Sequence, residues 1–151
     1  MNMKFKNTTA ALVILCSALM LSFTYVFYGN SIPEADLIST DQLNDILTNP
    51  NAKKPVIYNV GPMQNIKTAL YIGSTAAPDE LERLKKESAK LPKDKQIVLY
   101  CGCCEASHCP NVAPALDYLK SAGFTKAKVL NIPTGLNEDW INKGYPMESA
   151  K

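Results

Sequence analysis

Arginine is almost absent from this chain: Arg83 is the only one among its sixteen cationic residues. The lysines are scattered rather than lined up in a stripe, and no aromatic stacking motif accompanies them. That pattern lacks the electrostatic footprint of a nucleic-acid-binding protein, so no nucleic acid is expected as a partner. Histidine and tryptophan are equally scarce, with one each, His108 and Trp140, and no internal repeat or low-complexity segment occurs. Nor does net charge point to a partner. Lys4 and Lys6 are the only charges before residue 31, and beyond it fourteen cationic side chains balance fourteen acidic ones.

Charge is missing altogether from Ala10 to Phe27, AALVILCSALMLSFTYVF. The run is longer than the apolar region of most signal peptides, about 7–15 residues. It lies near the lower limit for spanning a bilayer, about 17–20 residues. Tyr25, Phe27 and Tyr28 crowd the place where a small-x-small cleavage site would lie, and Leu15 precedes Cys16 where a lipoprotein site wants a small residue. The sequence therefore predicts a signal peptide or transmembrane anchor over residues 1–30, with an uncleaved single-pass anchor ahead of a cleaved signal and of a buried helix. Lys4 and Lys6 would stay on the cytoplasmic side and the rest would lie outside. A linker over 31–37 and one domain over 38–148 complete the chain, since roughly 120 residues suffice for one modest core.

Ser39, with Gln42 three places on and then Leu43, Ile46 and Leu47, reads as a capping box that opens an amphipathic helix. PVIYNV (55–60), QIVLYC (96–101) and AKVLNI (127–132) are short apolar runs rich in β-branched residues, as buried strands are; ALYIG suggests a further short one. Pro78 opens a charged helix with Leu81, Leu84 and Leu91 facing inward. Pro110-Asn111 starts a helix that stops at Gly123, and LNEDWINKGYP reads as a short last helix. Alternating strands and helices of these lengths predict an α/β fold, a parallel sheet covered on both faces. Ligands of such sheets bind beyond the carboxyl ends of the strands.

At one such end stands LYCGCCEASHCPN (99–111), which holds Cys101, Cys103, Cys104, Cys109 and His108. Cysteine is usually a buried packing residue, but packing does not require four thiols within nine residues. A thiolate at a strand end that faces a helix start is nucleophilic, and Cys101 has that position. A zinc or copper site is a second candidate. It would take its ligands from Cys101, Cys103, Cys104, Cys109 and His108, although structural zinc usually draws CxxC pairs from two separate segments. A thiol–disulfide oxidoreductase is the third, since Cys101-Gly102-Cys103-Cys104 contains CxxC between a strand and a helix. Its chain order fits poorly: only one helix and one strand separate the cysteines from Ile132-Pro133-Thr134, which stands in the place of a thioredoxin-like proline segment.

PVIYNVGP, ALYIGSTA, KDKQIVLYCGCC…HCPN and LKSAGFTKAKVLNIPTGLNEDWINKGYPME together resemble a rhodanese-like sulfurtransferase domain over residues 38–148. The likeness is to an exported bacterial subgroup with a CGCC active loop. It implies a rhodanese-like parallel sheet and, at Cys101, the catalytic cysteine that carries sulfane sulfur as a persulfide. Substrate contacts are implied at Gly102, Cys103, Cys104, Glu105 and His108. Cys103, Cys104 and Cys109 are the candidate relay or resolving thiols, an oxidising compartment favouring disulfides. No cofactor or metal is implied. The expected partners are a small sulfane-sulfur donor, a thiol acceptor, and the membrane through residues 10–27. The expected form is a monomer facing the periplasm from the inner membrane, or free in the periplasm if the segment is cleaved. The alternatives are a non-catalytic rhodanese-fold module that binds a partner or a soft metal, and the oxidoreductase above. The sequence departs from the family where an Asp-x-Arg is common, here Asn59 and Gly61. It departs again where His-Ile-Pro-Gly-Ala is represented by Tyr71 to Thr75, and in a loop of nine or ten residues where about six are usual. Those departures bear on how the loop is braced and leave the nucleophile untouched.

Overall fold

In a computed structural model, which describes residues 32–149, five strands pair in parallel throughout. They are β1 (Leu37–Ser39), β2 (Val56–Asn59), β3 (Ala69–Tyr71), β4 (Ile97–Tyr100) and β5 (Ala127–Asn131), in the spatial order β1-β5-β4-β2-β3. The helices α1 (Thr40–Thr48), α2 (Pro78–Ser88) and α3 (Val112–Ser121) connect β1 to β2, β3 to β4 and β4 to β5. One face of the sheet, with Tyr58, Leu99 and Val129, packs on Leu84 of α2 and on Val112, Ala115, Leu116 and Leu119 of α3. The other face, with Ile57, Val98, Tyr100 and Leu130, packs on Leu43 of α1 and on Leu136 and Trp140. The sheet is therefore covered on both sides, as the strand and helix pattern predicts.

Local chemistry accounts for the element ends. At α1 the capping box is complete: the Gln42 N–H donates to Ser39 Oγ at 3.1 Å, and the Ser39 N–H to Gln42 Oε1 at 3.0 Å. At the end of α3, Gly123 takes φ +88° and the Phe124 N–H reaches back to the Leu119 carbonyl at 3.0 Å. That return bond is the glycine stop of a helix.

Two elements differ from the sequence expectation. Leu37, assigned to the linker, opens β1, an edge strand whose register pairs Leu37 with Val129. The expected last helix is a single π-helical turn, Asn137–Ile141, with the Asn142 N–H bonded to the Asn137 carbonyl at 2.8 Å. Trp140 on that turn is fully buried, as a packing residue should be, and its indole N–H donates to the Pro146 carbonyl at 3.2 Å. Among the described residues no helix is long and apolar enough to cross a membrane. The apolar run 10–27 and the expected anchor or signal over 1–30 lie outside the described residues.

Candidate active site

β4 is the central strand, and all four of its residues are buried. Cys101 follows directly and is only 2% exposed. The chain then turns sharply at Gly102 (φ +83°), whose carbonyl accepts the Leu136 N–H at 3.0 Å. A Cβ at this glycine would lie 3.0 Å from both the Leu136 Cβ and the Met63 Cγ. Left-handed backbone and close walls together require glycine here.

Beyond Gly102 the loop spends its extra length on a 3-10 turn, Ala106–His108, which returns the chain so that Cys109 is buried. The result is a knot of sulfur. The Sγ atoms of Cys101, Cys103, Cys104 and Cys109 all lie within 4.8 Å of one another, and every thiol is free. Cys101 and Cys103 are 3.2 Å apart, Cys103 and Cys104 3.6 Å. Cys103 is exposed and Cys104 half-buried.

The donors around Cys101 favour its thiolate form. The Cys109 thiol donates to its sulfur, and the Asn111 amide, the Cys103 thiol and the Cys103 N–H add to this. Together they outweigh burial and bring the Cys101 thiol down to about 5. Its partners move the other way. Cys109 is raised by donating to Cys101 and by burial, and Cys103 is pushed up to about 12 by desolvation and by its contact with Cys101. One thiolate held among thiol donors is the outcome.

Asn111 was not foreseen as a site residue. An asparagine before a helix reads as a cap, yet its side chain caps nothing. Instead Asn111 Oδ1 accepts from Ser74 Oγ at 2.5 Å and from the Ala76 N–H at 3.3 Å, which turns Nδ2 toward Cys101 Sγ at 3.4 Å. The Thr75 hydroxyl donates to the Asn111 carbonyl. Ser74, Thr75 and Ala76 thus orient Asn111. Asn111→Asp keeps the acceptor and replaces the donor with a carboxylate oxygen. Hydrogen bonds to charged groups are worth about 1.5–3 kcal/mol, so the pH midpoint of Cys101 alkylation should rise by about one to two units. An unchanged alkylation midpoint would remove Asn111 from the site.

Asn59 braces the loop that follows β2. Fully buried, it accepts the Gly61 N–H on Oδ1 at 3.0 Å and donates from Nδ2 to the Met63 carbonyl at 2.6 Å and to Asn65 Oδ1 at 3.0 Å. Tyr100, the last residue of β4, ties the same loop down. Its hydroxyl donates to the Gln64 carbonyl at 3.0 Å and accepts the Ile66 N–H at 2.9 Å. Glu105 and His108 lie outside the sulfur cluster. They pair with each other at 3.3 Å, their side chains 53% and 79% exposed.

No family model matches the chain, and no curated protein does. Among solved structures it is similar to the Alr3790 protein from Anabaena sp., with a TM-score of 0.51 and 21% identity over 74% of this chain and 91% of that one. The Rhodanese_3-like domain of the same Alr3790 protein aligns with a TM-score of 0.45 and 22% identity, over 64% of this chain and 94% of that one. At such identity the first likeness is one of fold: this chain shares the parallel α/β fold of the Alr3790 protein, with a cluster of four cysteines beyond its central strand.

Proposed function

We propose that the protein is a sulfurtransferase in which Cys101 carries sulfane sulfur as a persulfide. The observation that carries this reading is the buried Cys101 sulfur at the end of the central strand, with the Asn111 amide and the Cys103 thiol turned toward it. The Cys101 thiolate attacks the outer sulfur of a donor R–S–SH. The donor's S–S bond breaks, R–S⁻ leaves and takes up the proton, and Cys101–S–S⁻ forms. An acceptor thiolate then attacks the outer sulfur and restores the Cys101 thiolate. Cys103, 3.2 Å away, is an acceptor within reach. If its thiolate attacks the inner sulfur instead, hydrosulfide leaves and a Cys101–Cys103 disulfide remains. Intact-mass analysis of the reduced protein after exposure to a polysulfide tests the proposal. One retained extra sulfur is expected, whereas a loss of two hydrogens with no sulfur-bearing form would favour the oxidoreductase.

The loop's charge bears on the donor. Between Gly102 and Pro110 there is no lysine or arginine, and Glu105 adds a negative charge. Thiosulfate, a small dianion, is therefore expected to be a poor donor with a high apparent KM. A like charge costs on the order of 1 kcal/mol even beyond ten ångströms at an effective dielectric near 20, and less where salt screens it. Glu105→Lys should improve thiosulfate use several-fold, more at low salt than at high salt. Efficient wild-type thiosulfate turnover that is indifferent to this substitution would remove loop charge as the determinant.

We also infer that residues 10–27 hold the protein in the inner membrane with the domain in the periplasm. A protease added from the periplasmic side should then digest the chain beyond about Asn30, and the full-length protein should stay in the membrane fraction. A shortened, freely soluble mature form would identify a cleaved signal instead.

A further inference from the structure

We propose that Cys101, Cys103, Cys104 and Cys109 form a tetrathiolate site for a single thiophilic d10 cation, zinc(II) or copper(I). A tetrahedron of metal–sulfur bonds near 2.3 Å has sulfur–sulfur edges of about 3.8 Å. Here the two shortest contacts are 3.2 and 3.6 Å, and no sulfur is farther than 4.8 Å from another. Closing the cage therefore needs side-chain shifts of under about 1 Å. One loop provides all four ligands because the 3-10 turn at Ala106–His108 brings Cys109 back beneath the others in sequence. His108, the other candidate ligand in this loop, is turned to Glu105 and stays out of the cluster.

The surroundings suit bound thiolates beyond what a nucleophile needs. The sulfur of Cys101 has the Asn111 amide and the Cys103 N–H, and that of Cys109 has the backbone N–H groups of Asn111 and Val112. Outer-shell donors of this kind hold the charge that a metal leaves on its sulfur ligands. The charge of the loop also favours a cation, with Glu105 and no lysine or arginine between Gly102 and Pro110.

Exposure indicates how tightly such an ion is kept. Cys101 and Cys109 are buried, Cys104 is half-buried and Cys103 is exposed. The ion is reached from the Cys103 side and is exchangeable. Each ligand still protonated gives its proton to solvent on binding, and no electron moves. A metal-held Cys101 has its sulfur lone pair engaged, so metal loading and persulfide loading exclude each other.

The test uses the reduced full-length chain, kept anaerobic in detergent, and reads metal without any sulfur donor. Failure of the metal site and failure of sulfur transfer are thus separate results. Zinc(II) is titrated against a chromophoric chelator, copper(I) against a copper-specific one, and cobalt(II) reports the ligand set through its thiolate charge-transfer absorption. One ion per chain, a tetrathiolate cobalt spectrum, and at least a tenfold loss of affinity in Cys109→Ser are expected. Because Cys109 is buried, Cys104→Ser repeats the test at a half-buried position and should weaken binding likewise. The ion held more tightly, zinc(II) or copper(I), identifies the occupant. Loss of all metal to the chelators, or undiminished affinity in both serine variants, overturns the proposal.

Discussion

Cys101→Ser should abolish the retained extra sulfur, while Cys103→Ser and Cys104→Ser reduce it or move it. The serine oxygen is a much weaker nucleophile at neutral pH and cannot form the persulfide. The change is nearly isosteric and keeps the Asn111 amide as a donor, so folding should be little affected. What Cys103 and Cys104 lack is the set of donors: the Asn111 amide and the Cys103 N–H point at Cys101 alone. Intact-mass analysis after polysulfide exposure and removal of unreacted donor, with circular dichroism as the folding control, reads the outcome. If Cys101→Ser accepts sulfur at the normal rate, the nucleophile is another thiol of the cluster.

Legibility in the sequence followed the length of each apolar run. β4 is an unbroken apolar run because all four residues are enclosed, and such a run at a helix-separated spacing announces a parallel sheet. The strand-end position of Cys101 followed from it. β1 escaped because it has three residues, only Ile38 among them is buried, and its last residue, Ser39, doubles as the cap of α1. The π-helical turn at Asn137–Ile141 carries the same apolar spacing as a short helix, so only the hydrogen-bond pattern separates the two.

In the site, what sequence could not convey was tertiary. Asn111 is recruited by Ser74 and Ala76, more than thirty residues away, and nothing local marks an asparagine that orients a thiolate rather than capping a helix. His108 gave the opposite difficulty. Its place among four cysteines suggests a ligand, yet the turn that buries Cys109 directs His108 outward. The missing Asp-x-Arg bracing was visible, but its replacement was not: Asn59 holds one end of the loop, and Tyr100, which reads as a strand residue, holds the other.

Gly61, just past the end of β2, is a glycine for a steric reason. β2 and β4 are neighbours in register, Asn59 beside Tyr100, so the residues just past them run side by side. A Cβ on Gly61 would overlap Cys101 Sγ and lie 2.5 Å from the Cys101 carbonyl oxygen and 2.9 Å from its Cα. Two of those atoms are backbone and cannot swing away. Gly61→Ala is therefore expected to force β2 and β4 apart beyond their paired ends, or to push Cys101 off its donors. Overpacking of this kind costs about 1–3 kcal/mol, which for a domain of this size is a fall in Tm of about 5–15 °C. The accompanying loss falls on chemistry, since Asn111 Nδ2 is already 3.4 Å from Cys101 Sγ and a further shift breaks that contact. Thermal unfolding by circular dichroism, and persulfide loading measured well below the lowered Tm, read the two effects separately. A variant with unchanged Tm and full loading would mean that the backbone at the strand ends yields freely, and that the glycine is not what seats the nucleophile.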